Sequence, residues 1–128
     1  MPNKPKKKLF VIDNGSYDDK IIVSVGGTWQ EVNKVYKKLY KLGDKWDMYM
    51  DKDDFNGDSA AMFDHDCNVL WLKDWKDNKY WNDVLRHECH HICHYTLGVQ
   101  RSMFKEPEAM AYHQDYLMDV IRDKLNNK

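Results

Sequence analysis

Five consecutive residues, His87-Glu88-Cys89-His90-His91, carry the pattern H-E-x-x-H. On an α-helix, residues four apart lie one above the other, so His87 and His91 offer two imidazoles to one metal ion. Glu88 is turned about 100° from His87, out of the ligand pair yet within reach of a water held beside the ion. Two ligands and a general base within five residues is the arrangement of zinc-dependent hydrolases. With six His and only Glu31, Glu88, Glu106 and Glu108 as glutamates in 128 residues, the pattern arises by chance on the order of 1% of the time. The flanking residues therefore have to support it.

They do so by building a helix with two unlike faces. No proline interrupts the run from Tyr80 to Leu97, and Gly98 stands where a left-handed cap would end it. Projected at about 100° per residue, Leu85, Cys89, Ile92, Cys93 and Thr96 gather on one side. His87, His91 and His94 gather on the other, flanked by Val84 and Tyr95. Such a helix packs on a core by its apolar back and opens to a cleft by its histidine front.

Catalytic zinc commonly takes three protein ligands and a water. The remaining candidates are His90, His94, Glu106, Glu108 and His113. His90 points away from its neighbour His91, and His94 lies a turn too far along to close the same tetrahedron without distortion. The next helix is the better source. Pro107 suits a first helical position, and Met110, Leu117, Ile121 and Leu125 recur at helical spacing. Glu108 falls in its first turn, where the helix dipole favours a carboxylate, and Ala109 and Ala111 permit close approach to the first helix. Glu108 is the expected third ligand and Glu106 the reserve.

The run Val69-Leu70-Trp71-Leu72-Lys73-Asp74, the H-E-x-x-H helix and Glu108-Ala109-Met110-Ala111-Tyr112 together resemble a family of small phage-encoded zinc metallopeptidases of the minimal gluzincin type. The resemblance covers about half the chain, residues 60–120, and rests on the order of the parts. It implies His87, His91 and Glu108 as ligands and Glu88 as base. His90 and His94 depart from it by adding imidazoles that the family does not require.

The rest of the chain sets the frame. At 128 residues with 42% hydrophobic residues, five Trp, eight Tyr and four Phe, it suits one domain with a small core. A net charge of −1 gives no electrostatic reason to expect nucleic acid as a partner. Residues 1–8, with Lys4, Lys6, Lys7 and Lys8, read as a flexible basic arm, and the apolar run behind it is too short for a signal peptide or membrane span. A cytoplasmic protein is expected, within the host if phage-encoded, and Cys67, Cys89 and Cys93 fit free thiols.

Strands are expected at Lys7–Ile12 and Lys20–Val25, separated by the turn Asp13-Asn14-Gly15-Ser16, and at Ala60–His65 and Val69–Lys73 around Asp66-Cys67-Asn68. Thr28 and Glu31 form a capping box for a helix running to Leu42 and ended by Gly43. Asp51 to Asp58 suggests a calcium loop, but Phe55 and Met62 occupy positions that need oxygen ligands. It reads as a solvated loop. The whole predicts an α+β, zincin-like fold: a small, mostly antiparallel sheet with a backing helix, an H-E-x-x-H helix and a C-terminal helix. Val69–Lys73 is the candidate edge strand for an extended substrate, and Trp71, Trp75, Tyr80 and Trp81 are read as core or substrate wall.

The function expected from these residues is zinc-dependent peptide hydrolysis with Glu88 as general base and Tyr112, or else His94, donating to the substrate carbonyl. Its substrate would be a peptide or protein. The rival expectation is a catalytically silent metal-binding phage protein that inhibits or adapts a host protein. The same ligands also accept several other divalent ions.

Overall fold

Apolar alternation in the first quarter of the chain builds a hairpin from Lys8–Asn14 (β1) and Tyr17–Val25 (β2). Its turn depends on Gly15, whose φ of 64° lies in the left-handed region that a side chain disfavours. The computed structural model describes residues 7–15, 17–43, 46–55 and 59–127. Trp29–Leu39 (α1) follows, then a short 3₁₀ turn at Lys52–Phe55 and a second hairpin, Ala61–Asp64 (β3) with Val69–Leu72 (β4). Lys79–Cys93 (α2) continues into a π-helical turn at His94–Val99, and Pro107–Asn126 (α3) closes the chain. The fold is α+β, with one four-stranded sheet in the order β1-β2-β4-β3. The β1–β2 and β3–β4 pairings are antiparallel, while β2 and β4 run parallel.

The sheet is covered on both faces, as the nearly unbroken apolar runs of its inner strands, whose successive side chains point to opposite faces, require. Ile21, Val23 and Val25 of β2 and Leu70 and Leu72 of β4 meet Leu85, Cys89, Ile92 and Cys93 of α2 and Leu117, Ile121 and Leu125 of α3. On the other face, Ile22, Val69 and Trp71 meet Val32 of α1, with Met48, Met50 and Phe55. Burying each large aliphatic side chain contributes roughly 1.5–3 kcal/mol, so α2 is fixed by its apolar back, as its sequence predicts.

Several expectations need correction. The strand Val69–Lys73 is not an edge: β4 lies between β2 and β3, and all four of its residues are buried. The edge beside α2 is β3. Trp71 belongs to the core on the α1 side, whereas Tyr80 is exposed, so the four aromatics are not one cluster. The capping box of Thr28 and Glu31 forms, but α1 stops at Leu39. Lys41 takes the left-handed conformation (φ 56°), and the Leu42 amide donates back to Lys37 O. Lys8 lies in β1 rather than in an arm, and its ammonium donates to the Lys124, Leu125 and Asn127 carbonyls at the end of α3. Lys4 and Lys6 fall outside the described residues, as do residues 56–58 of the acidic loop. Phe55 of that loop is core. Among the described residues no helix is long and apolar enough to cross a membrane.

Candidate metal centre

α2 begins where Asn78, in extended conformation, accepts a hydrogen bond from the Trp81 amide at 2.9 Å. Asp83 links Lys79 and Arg86 along its exposed face. With its other face held by the core, the helix turns His87 and His91 outward. Their Nε2 atoms face each other at 3.1 Å, with the rings nearly perpendicular. Two nitrogens bound to zinc at about 2.05 Å and separated by that span subtend about 100° at the ion, close to tetrahedral.

Glu88 is the unusual member. Only 6% of it is exposed, and its Oε2 is buried with no hydrogen-bond partner. Burial raises its pKa above the ordinary carboxylate value, partly opposed by the charge of His87. His91 is pushed the other way, chiefly by burial and then by the neighbouring His87, His90 and His94, which favours the neutral imidazole that a metal requires. Donor atoms of His87, Glu88 and His91 all lie within 4.8 Å of one another, and among the described residues this is the one His/Cys/Asp/Glu group able to share an ion. A buried carboxylate with one unpartnered oxygen, grouped with two convergent imidazoles, fits a divalent cation.

The other candidates fall elsewhere. Glu108 occupies the first turn of α3, as expected with Pro107 at its start, but is exposed and stands outside the cluster. Tyr112, one turn later, is 72% exposed. Glu106 precedes α3 as its cap residue and makes no side-chain capping bond. His90 is exposed, and His94 packs near Phe104. His113 is buried in a polar chain: its Nε2 lies 2.6 Å from Asn14 Oδ1, and Asn14 Nδ2 donates to Thr96 Oγ1 at 2.9 Å. Cys89 and Cys93 are buried in the core, where burial raises their thiol pKa values, Cys93 to about 12, and they lie outside the His87–Glu88–His91 group.

Gly98 does not cap the helix. It is buried within the π turn, and a Cβ there would lie 2.5 Å from the Phe104 ring. The absence of a side chain serves that close approach, while Ser102 takes the left-handed conformation instead (φ 55°). Arg101 Nη1 donates to Thr96 O at 2.7 Å, satisfying a carbonyl in the widened turn. Such π turns recur at functional sites, and here the turn leads directly out of the helix that carries His87, Glu88 and His91.

Two clefts flank the imidazole pair. One, of about 570 Å³, is walled by Ala60, Ala61, Tyr80 and Val84, with Ser59, Asp83, His87 and Glu88 also on its lining. The other, of about 300 Å³, is lined by Phe63, His65, His91, His94, Tyr95 and Val99. His65 stacks on Tyr95 at 4.6 Å. His65 was not among the expected site residues; it stands in the turn directly after β3, one residue past the alternation that puts Ala61 and Phe63 on one face. No family model matches the chain, and comparison with curated proteins and with solved structures likewise gives no match.

Proposed function

We propose that the chain is a zinc-dependent peptidase in which Glu88 is the general base. The observation that carries this reading is the buried Glu88 carboxylate, one of its oxygens unpartnered, in a group with two imidazoles whose nitrogens converge. Buried polar atoms without partners are uncommon in folded proteins and cluster where a ligand or a reaction supplies what is missing. A zinc ion held by His87 and His91 would supply Lewis acidity, bringing the pKa of water from about 15.7 toward about 7 and polarising a carbonyl.

Glu88 takes the proton from the water as its oxygen bonds to the scissile carbonyl carbon. It then passes that proton to the amine nitrogen as the C–N bond breaks. Its raised pKa suits both halves of the cycle, because a carboxyl group that is too acidic would hold the proton too weakly to deliver it. An extended peptide would lie along the free edge of β3, its backbone completing that strand's hydrogen bonds. Glu108 remains the proposed third ligand and Tyr112 the proposed donor to the carbonyl oxygen. In this reading both act after the first turn of α3 moves toward His87 and His91. Kinship with the phage-encoded minimal gluzincins belongs to the same proposal.

A second reading has one observation in its favour: the Glu88 carboxylate is itself within the group able to share the ion. As a ligand it leaves no base, and the protein becomes a metal-binding inhibitor or adaptor. Glu88→Gln separates the two when quenched-peptide hydrolysis and bound metal are measured together. The peptidase reading expects hydrolysis by the wild type, at least about 10²-fold slower in the variant, with zinc content unchanged. Hydrolysis that persists in Glu88→Gln rejects Glu88 as base, and an inactive wild type whose metal is lost in the variant favours the second reading.

A further inference from the structure

The two clefts share the same walls. Residues 59–61 and the start of α2 flank the larger one, and Phe63, His65 and the end of α2 flank the smaller. β3 and α2 therefore run in the same sense along one groove, with the His87–His91 pair at its middle. The ends of the groove differ in chemistry. Toward Ala60 and Ala61 the wall is mostly apolar, with Val84 and the exposed ring of Tyr80; Ser59 and Asp83 also line it, Asp83 being paired with Lys79 and Arg86. Toward His65 the lining offers imidazole and phenol donors from His65, His94 and Tyr95, and no carboxylate lines it.

We propose that this groove selects an extended peptide with an acidic side chain in the His65–His94 cleft and a bulky apolar side chain in the Tyr80–Val84 cleft. An antiparallel guest, the commoner pairing between strands, runs opposite to β3. It places the acidic residue on the N-terminal side of the bond beside His87 and His91, and the apolar residue on the C-terminal side. The Ala60, Ala61, Tyr80 and Val84 surfaces give a side chain of Leu or Phe size apolar contact. At the other end, each imidazole carries an N–H donor whether neutral or charged, so acceptance of a carboxylate does not depend on its protonation. Asp66 lies 3.4 Å from His65 Nε2, but both groups are well exposed, and an exposed pair is too weak to withhold the imidazole from a better-seated carboxylate. The assignment of a cleavage point rests on the peptidase reading; the selectivity of binding does not.

The test uses full-length Glu88→Gln and fluorescein-labelled octapeptides read by anisotropy: one with Glu before and Leu after the central bond, its Gln counterpart, and one with the two residues exchanged. The Glu-first peptide should bind about fivefold tighter than either of the others. That preference should vanish in His65→Leu/His94→Leu, two exposed positions whose replacement a melting curve should barely register, and should grow in Asp66→Asn. Equal binding of Glu and Gln peptides, a preference for the exchanged order, or a preference unchanged without both imidazoles overturns the proposal. Wild-type protein incubated with the same peptides separates it from the peptidase reading. Selective binding without cleavage removes the hydrolysis and leaves the groove, while cleavage without acidic preference does the reverse.

Discussion

Glu88→Gln should make the metal-free protein more stable while removing the proposed hydrolysis. In the folded chain the carboxylate is buried, with one oxygen unpartnered and its pKa raised from the ordinary value of 4.5. An acid whose folded pKa exceeds its unfolded one holds more protons when folded, between those two values. The wild type is therefore most stable, in respect of this group, below pH 4.5, and loses that stability as pH rises through the raised value. Gln has no such loss. A buried group without its partner costs about 1–3 kcal/mol, and the amide brings donors of its own, which leaves a net gain of about 1–2 kcal/mol near pH 7. At about 2.1 cal/mol/K per residue for the unfolding entropy, a chain of 128 residues converts this into a rise in Tm of about 4–7 °C.

Calorimetry in chelator from pH 4 to pH 8 checks both size and sign: the two curves should nearly meet at the acidic end and separate toward neutrality. A variant that melts lower than the wild type, or a gap that does not change with pH, would refute the idea that Glu88 is held against its own solvation. Zinc adds a second discriminator that needs no substrate. At a hundredfold excess over Kd a ligand stabilises by about 2.7 kcal/mol. If Glu88 is a base, wild type and variant gain equally; if it is a ligand, the variant gains less.

Glu108→Ala should lower zinc affinity at least about tenfold in a chelator competition, and zinc should slow amide exchange over residues 106–112 of the wild type only. Unchanged affinity would remove Glu108 from the ligand set. Gly98→Ala drives a methyl group into the Phe104 ring and should cost about 1–3 kcal/mol, seen as a lowered Tm. Most of that loss should return in Gly98→Ala/Phe104→Ala, and failure of this rescue would mean that the close approach is not what excludes a side chain. Lys8→Met removes the ammonium that serves three carbonyls at the end of α3 and should cost about 1 kcal/mol. Hydrogen exchange should quicken first in the last turn of that helix, and an unaltered last turn would assign the lysine no capping role.

Legibility of the fold followed the strength of local signals. Capping at Thr28 and Glu31, Pro107 at the start of α3 and the apolar back of α2 are short-range patterns, and each appears where the residues place it. The failures are non-local. Whether Val69–Leu72 is an edge or an inner strand depends on β2 pairing parallel to it across the chain, which no spacing within β4 encodes. One hint was present: Val-Leu-Trp-Leu is apolar at every position, as a strand covered on both faces must be, whereas β3 alternates around Met62 and Phe63 less completely. Gly98 misled for a related reason. A glycine after a helix suits a left-handed cap, but the same residue also suits a close contact, and only the position of Phe104 decides between them.

The juxtaposition of His87 and His91 was readable because i and i+4 on a helix is a geometric certainty, whereas the burial of Glu88 needed the packing of α2 on the sheet. The third ligand was not readable in the same sense. Glu108 lies beyond a π turn and a loop, and each extra residue per turn rotates everything downstream by tens of degrees relative to α2. Spacing along the chain therefore places Glu108 in the first turn of α3 without fixing its distance from the imidazoles. His65 shows the converse: it arrives at the cleft from a different hairpin, and its place just past β3 did not mark its destination. Residues on one element can be ordered around a reaction from spacing, but those from a second element need the packing of the two. The zinc response of residues 106–112 therefore matters more than any motif, since it asks whether α3 can bring to the imidazoles what the static arrangement holds apart.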